Sequence, residues 1–261
     1  MKEGRRSPID TVCKRPKSAS GASVIVATCY NSSIVSKSPE ELEEIAVFPL
    51  ATVLFPGAIL PLHIFEDRYK QMMRYAIENG GLFGLSYRSD ASIGEETPPE
   101  IGSVGCVAKI HAVMPLDEGK MNVISTGVVR YRILSLQQAE PFLMARVEPF
   151  TDDLEPGADL NRIFDDVSEM CKEFLEAAQA LDESGSVVGQ DLPEDPEAFS
   201  LLVSSALPID NDAKQTLLEI TSTRLRLSRL RHYVSSALTD FTRKIKMQER
   251  AKGNGHGRID S

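Results

Sequence analysis

The sequence predicts an α+β fold of segregated parts: a small closed or nearly closed β-barrel over residues 39–150, then a helical bundle over residues 159–250 with a long last helix. Two observations carry this. Six or more short apolar runs, broken by Pro and Gly, fill the first span, which is the punctuation of strands and turns. Apolar residues spaced i, i+3, i+4, i+7 fill the second, which is the stripe of amphipathic helices. Strands followed by helices, rather than alternating with them, argue for separate layers.

The elements follow in order. EIAVF from Glu44, TVLF from Thr52 and AILPLHIF from Ala58 read as strands. A helix interrupts them over Phe65–Asn79, with apolar residues at Phe65, Tyr69, Met72, Met73, Ala76 and Ile77. Glu66 and Asp67 at its start suit the helix dipole, and Asn79-Gly80-Gly81 ends it with residues that accept the left-handed conformation. LFGLSYR follows as a strand, and residues 90–100 as a polar loop with a Pro pair. Strands then begin at Val104, Met121, Arg130 and Phe142, with Leu116–Lys120 as a hairpin turn.

The helical half opens with a stripe of Leu160, Ile163, Phe164, Val167, Met170, Cys171, Phe174 and Leu175. Residues 183–196 read as a loop, and Asp195-Pro196 at its end starts a short helix that Pro208 stops. Asn211 or Asp212 is expected to cap the next helix. The last helix, about Thr223 to Arg250, carries Leu227, Leu230, Val234, Leu238, Phe241 and Ile245 on one stripe. Arg224, Arg226, Arg229 and Arg231 lie mostly off that stripe and read as a solvated face, with contact to an acidic partner or to the chain's own acidic body as the alternative. Asp152, Asp153 and Glu155, like Asp191, Glu194, Asp195 and Glu197, read as solvated loop and helix-start charges. Residues 251–261 read as a flexible tail.

Composition narrows the function classes. The 261 residues are 42% hydrophobic and 26% charged, which suits a folded globular chain, and no run approaches the ~18 apolar residues of a membrane span. The net charge of −9 is uneven: residues 39–210 carry eleven Lys/Arg against thirty-one Asp/Glu, while both ends are basic. An acidic body repels phosphate backbones, which argues against broad nucleic-acid binding. Residues 1–38 are Ser-rich, basic and acid-poor, a composition that fits an organellar transit peptide or a disordered basic tail. Plastid is the expected compartment, with cytoplasm as the alternative.

Catalytic motifs are missing from the sequence. Neither a phosphate-binding G-x-x-x-x-G-K-[ST] loop nor a G-x-S-x-G elbow occurs. The four cysteines form no C-x-x-C pair. His63, just before the first helix, reads as a polar tie to backbone carbonyls. No catalytic, cofactor or metal residue is assigned.

Three segments carry a family resemblance. Val47-Phe48-Pro49-Leu50, then Val53-Leu54-Phe55-Pro56-Gly57, then Leu60-Pro61-Leu62-His63-Ile64-Phe65-Glu66-x-Arg68-Tyr69-x-x-Met72-Met73 resembles the opening of the N-terminal, substrate-binding domain of Lon proteases. The match is closest to free-standing proteins of cyanobacterial and plastid type. Gly102-x-Val104-Gly105-x-Val107-Ala108 and Gly127-x-x-Arg130-Tyr131-Arg132-Ile133 resemble later segments of the same family.

The resemblance implies a PUA-like pseudo-barrel followed by helices. It implies a non-catalytic module that binds exposed apolar or extended segments of client proteins, or docks on an ATP-dependent protease or chaperone. The alternative is an RNA-binding PUA-like protein, an analogy of fold alone. The candidate recognition region is Phe48, Pro49, Phe55, Pro56, Gly57, Leu62, His63, Phe65, Glu66, Arg68 and Tyr69, most of it expected to maintain the fold. No cofactor or membrane is implied, and the oligomeric state is left open.

Overall fold

Residues 43–89, 98–138, 140–155, 157–181 and 192–253 are described in a computed structural model. The expected tail at residues 1–38, residues 90–97 of the expected 90–100 loop, most of the 183–196 loop and residues 254–261 of the expected 251–261 tail lie outside them, while residues 251–253 belong to the last helix. Six strands are present: β1 (Glu44–Leu50), β2 (Ile59–Ile64), β3 (Leu82–Tyr87), β4 (Val104–Pro115), β5 (Met121–Gln138) and β6 (Met144–Pro149). Helix α1 (Asp67–Glu78) lies between β2 and β3. After β6 come α2 (Gly157–Leu181), α3 (Pro196–Ala206), α4 (Asn211–Leu218) and α5 (Thr223–Gly253).

The strands form one sheet in the order β2-β5-β4-β3-β1-β6, and β6 also pairs with β5, closing a ring of five strands. β1 and β3 are parallel, and the other pairs are antiparallel. The 18-residue β5 makes closure possible. Its first half pairs with β2 and its second half with β6, so β2 extends from the ring as an edge strand. The expected separate strands at Met121 and Arg130 are therefore one strand, because register shifts against β4 absorb the bend within a continuous ladder.

β1 and β3 are buried on both faces, which explains their near-continuous apolar sequences. Inside the ring Ile45, Val47, Val107, Tyr131, Ile133, Ala145 and Val147 converge. On the other face, Met72, Met73 and Ala76 of α1 cover Ala46, Phe48, Phe83, Leu85 and Cys106. Gly80 and Gly81, with φ of +101° and +77°, turn the chain out of α1 into β3, a conformation that a Cβ would oppose.

In the helical half, α2 packs on α5, with the Phe174 and Phe241 rings 5.2 Å apart. Val167, Cys171, Leu227, Leu230 and Val234 form the core between them, as the two stripes predict. Phe55 and Val104 from the barrel join the same core, so the two halves share buried apolar surface. Asp195 caps α3 by accepting from the Ala198 N–H at 2.8 Å. The cap of α4 is Asp210, not Asn211 or Asp212. Its carboxylate accepts from the Ala213 N–H at 2.7 Å, and Pro208 ahead of it leaves room for the extended backbone a cap requires.

Candidate functional site

The motif from residue 48 to residue 69 divides into an inner and an outer surface. Phe48 is buried and packs on Tyr69 with ring centroids 4.2 Å apart, and Arg68 lies 4.6 Å from the Tyr69 centroid. Arg68 also pairs with Glu66 at 3.1 Å. Phe55 is fully buried where the barrel meets the helices. Pro49, Pro56 and Leu62 are half-buried, and Gly57 makes an exposed turn with φ of +82°. These residues hold the β1–β2 connection and α1 against the ring.

The outer surface is different. In β2, Leu60, Leu62 and Ile64 point inward, while Ile59, Pro61 and His63 alternate outward. The register sets Pro61 opposite Ile124 of β5, and Ile124 opposite Ala112 of β4. His63, Asn122 and Met114 form the next row, and residues paired across a ladder share a face. Ile59 is 69% exposed, Phe65 57%, Met114 39% and Ile124 38%, so this face is a largely apolar strip open to solvent. His63 is not tied to backbone carbonyls. Its Nδ1 lies 2.7 Å from Asn122 Oδ1, because the strand register brings the two side chains together, and its ring stacks with Phe65 at 6.0 Å. The strip lies on β2, which has no partner on its far side among the described residues.

A buried charge cluster locks the helices onto the barrel. Asp152 accepts from Arg130 of β5, from Arg226 of α5 at 3.1 Å and through a second, shorter contact, and from the Thr223 hydroxyl. Arg130 Nη1 also donates to the Leu218 and Ile220 carbonyls at 2.9 and 3.0 Å, and Arg226 Nη1 donates to Ile220 at 2.7 Å. Two guanidinium groups thus satisfy carbonyls at and just beyond the C-terminal end of α4, its negative pole. Arg226 Nε donates to Ser200 Oγ at 2.8 Å, which brings in α3.

Neither Asp152 nor Arg226 is a solvated surface charge: their side chains are 3% and 0% exposed. The fold withdraws both because each supplies the other's counter-charge. Sequence position missed them, since they lie 74 residues apart. The one available signal was Arg130 in the Gly127-x-x-Arg130 segment, flanked by apolar strand residues.

Burial by itself raises the Asp152 carboxyl, but hydrogen bonds and charge from Arg226, the Thr223 hydroxyl and the Arg130 charge outweigh it and hold the group below the ordinary carboxylate value. A carboxyl lowered in the folded state stabilises that state above its unfolded pKa of about 4, and the contribution disappears as pH falls through the lower folded value. Glu197 runs the other way. Burial first, then the Asp152 charge, raise it against Arg130 and Arg226. Unfolding free energy measured from pH 7 to pH 2 is expected to fall below about pH 4. In Glu197→Gln it is expected to be unchanged or higher at pH 7, because a disfavoured ionised carboxylate has been removed.

Among the described residues no group of three or more His, Cys, Asp or Glu could hold a metal ion, and no helix is long and apolar enough to cross a membrane. Burial pushes the Cys106 thiol up to about 12 and the Cys171 thiol up to about 11, so neither supplies a thiolate at neutral pH.

The comparisons with known proteins agree with this geometry. The Lon protease of Solibacter usitatus (strain Ellin6076) is 26% identical over 198 residues, which is 76% of this chain and 24% of that protein. The Lon protease of Bacillus thuringiensis (strain Al Hakam) is 24% identical over 202 residues, 77% of this chain and 25% of that protein. The chain thus spans about a quarter of the length of these curated relatives. Among solved structures, the N-terminal domain of Mycobacterium avium complex Lon protease superposes with a TM-score of 0.57 at 19% identity, covering 74% of this chain and 98% of that one, a likeness of fold. The profile described as the ATP-dependent protease La (LON) substrate-binding domain matches residues 44–236, and the chain belongs to that family.

Proposed function

We propose that this protein is a non-catalytic recognition module that takes up exposed apolar or extended segments of client proteins on the outer face of β2, β5 and β4. The observation that carries the reading is the strip of Ile59, Pro61, Phe65, Ile124 and Met114. These are exposed apolar side chains on the face shared by edge strand β2 and its neighbours β5 and β4, in a chain of a substrate-binding family. Burying that strip under an apolar segment gains roughly 25 cal/mol per Å². The open backbone of β2 can also pair with an extended chain, which needs no particular client sequence.

The buried interior of the motif supports the strip without touching a client. The PUA-like description suits the ring of strands with one covering helix, and docking on an ATP-dependent protease or chaperone is consistent with the family. The basic, Ser-rich composition of residues 1–38 supports a plastid address.

The test is binding of a reduced, permanently unfolded model protein to the full chain by fluorescence anisotropy. The double variant Phe65→Ser/Ile124→Ser is expected to weaken binding about tenfold, with circular dichroism and melting temperature close to the parent, since both side chains are already solvated. Undiminished binding by that variant would reject the strip as the recognition surface. Turnover of peptide or nucleotide by purified protein would reject a non-catalytic role.

A further inference from the structure

A second apolar feature lies beside the strip. A cavity of about 690 Å³ separates the β1–β2 connection from the helices. Val53, Ala58 and Ile59 form one wall, and Phe174, Leu202 and Val234 line the helical side. Such a volume falls within the ~300–1,000 Å³ of sites that hold a small molecule or short peptide. Ile59 belongs to both the cavity wall and the exposed strip, so the two surfaces are continuous.

Among the described residues Lys214 is the one charged side chain lining this cavity. It comes from the first turns of α4, and its Nζ donates to the Ser205 carbonyl at 2.8 Å near the end of α3. No carboxylate reaches it among the described residues, although the surrounding chain is acidic. Burial depresses its pKa, which shows that the ammonium is already partly desolvated without a counter-ion. An apolar cavity with one unpaired cation selects a ligand that is apolar with one negative end.

We propose that this groove receives the carboxyl-terminal end of a polypeptide with bulky apolar last residues, the free α-carboxylate pairing with Lys214. The idea rests on the recognition reading above and narrows its substrate class. Ile59 lies both on the outward face of β2 and on the groove wall, and a chain terminus with apolar last residues matches the apolar lining and supplies the counter-charge to Lys214. A terminal α-carboxylate is ionised at neutral pH, so a chain whose last side chains are all apolar still carries the negative charge.

The experiment uses the full chain and fluorescein-labelled peptides ending in Leu-Val-Leu, made with a free carboxylate and with a carboxamide, read by anisotropy. Decanoate serves as an apolar anion that is not a peptide. The free acid is expected to bind about tenfold more tightly than the amide. Lys214→Gln is expected to remove that difference, and Ala206→Phe, which fills the groove from an exposed position, is expected to abolish binding of both.

Phe65→Ser/Ile124→Ser is expected to keep the acid-to-amide ratio while weakening the unfolded protein. Equal binding of acid and amide, or a preference that survives in Lys214→Gln, would overturn the proposal. Binding of decanoate without the peptide would do the same. If the unfolded protein still binds in those cases, the recognition reading stands and only the chain-end preference falls.

Discussion

Replacing Asp152 with Asn is expected to lower the unfolding free energy by about 3–5 kcal/mol, a large share of the total for a domain of this size. The carboxylate is 3% exposed and is the shared acceptor of two guanidinium groups that are 1% and 0% exposed. The amide has nearly the same shape but no charge, so it leaves two buried cations facing each other with Glu197 as their remaining carboxylate, at 3.4 Å from Arg130. Arg226→Met costs less, because Arg130 stays on Asp152 and the helix carbonyls keep one donor.

The measurement is urea unfolding at pH 7 with a shared slope, so that the midpoint shift reports the free energy. As pH is lowered below about 4, the gap between the parent and Asp152→Asn should narrow, because the parent carboxyl loses its advantage as it protonates. A loss under about 1 kcal/mol at pH 7 would mean that the cluster gives specificity rather than stability.

The second large effect concerns the barrel interior. Gly105→Ala is expected to destabilise by about 3 kcal/mol or more, at the upper end of overpacking costs. A Cβ there would lie 2.4 Å from the Leu85 carbonyl oxygen and 2.5 Å from the Tyr131 ring. For Gly84→Ala the three nearest atoms all belong to Tyr131: its hydroxyl at 2.8 Å and ring carbons at 2.9 and 3.0 Å. The two glycines hollow out the space that Tyr131 fills.

The Tyr131 hydroxyl has no hydrogen-bond partner among the described residues, and burial pushes its pKa upward. Tyr131→Phe is therefore expected to be neutral or to stabilise by about 1 kcal/mol, since it removes an unsatisfied buried group. Combined with Gly84→Ala it should recover part of the loss, because it removes the hydroxyl at 2.8 Å while the ring carbons at 2.9 and 3.0 Å stay. Combined with Gly105→Ala it should recover little, because the Leu85 carbonyl stays in place. Equal recovery in both double variants would show that the tyrosine alone sets the fit.

These two sites also mark how far local reading reaches. The α+β class, the helix after Phe65, the Gly80-Gly81 exit and the stripe of Leu227, Leu230 and Val234 follow from period and punctuation within one element. Local chemistry dictates them, so the sequence alone carried them. In the candidate recognition region, the segment from Phe48 to Tyr69 was visible as a motif, but its division into buried and exposed sides was not. That division depends on the register of β2 against β5, which sets Ile124 and Asn122 beside Pro61 and His63.

What the sequence determined by itself was a run of strands, a run of helices, an acidic body and a family resemblance, all written in short-range spacing. Only the tertiary structure decided that Arg226 and Asp152 are core residues, that Gly84 and Gly105 make room for Tyr131, and that Lys214 lines an apolar groove with no carboxylate on it among the described residues. The reason is physical. Whether a charge is solvated or a glycine is crowded depends on atoms brought together from distant parts of the chain, and single-strand periodicity holds no record of those neighbours.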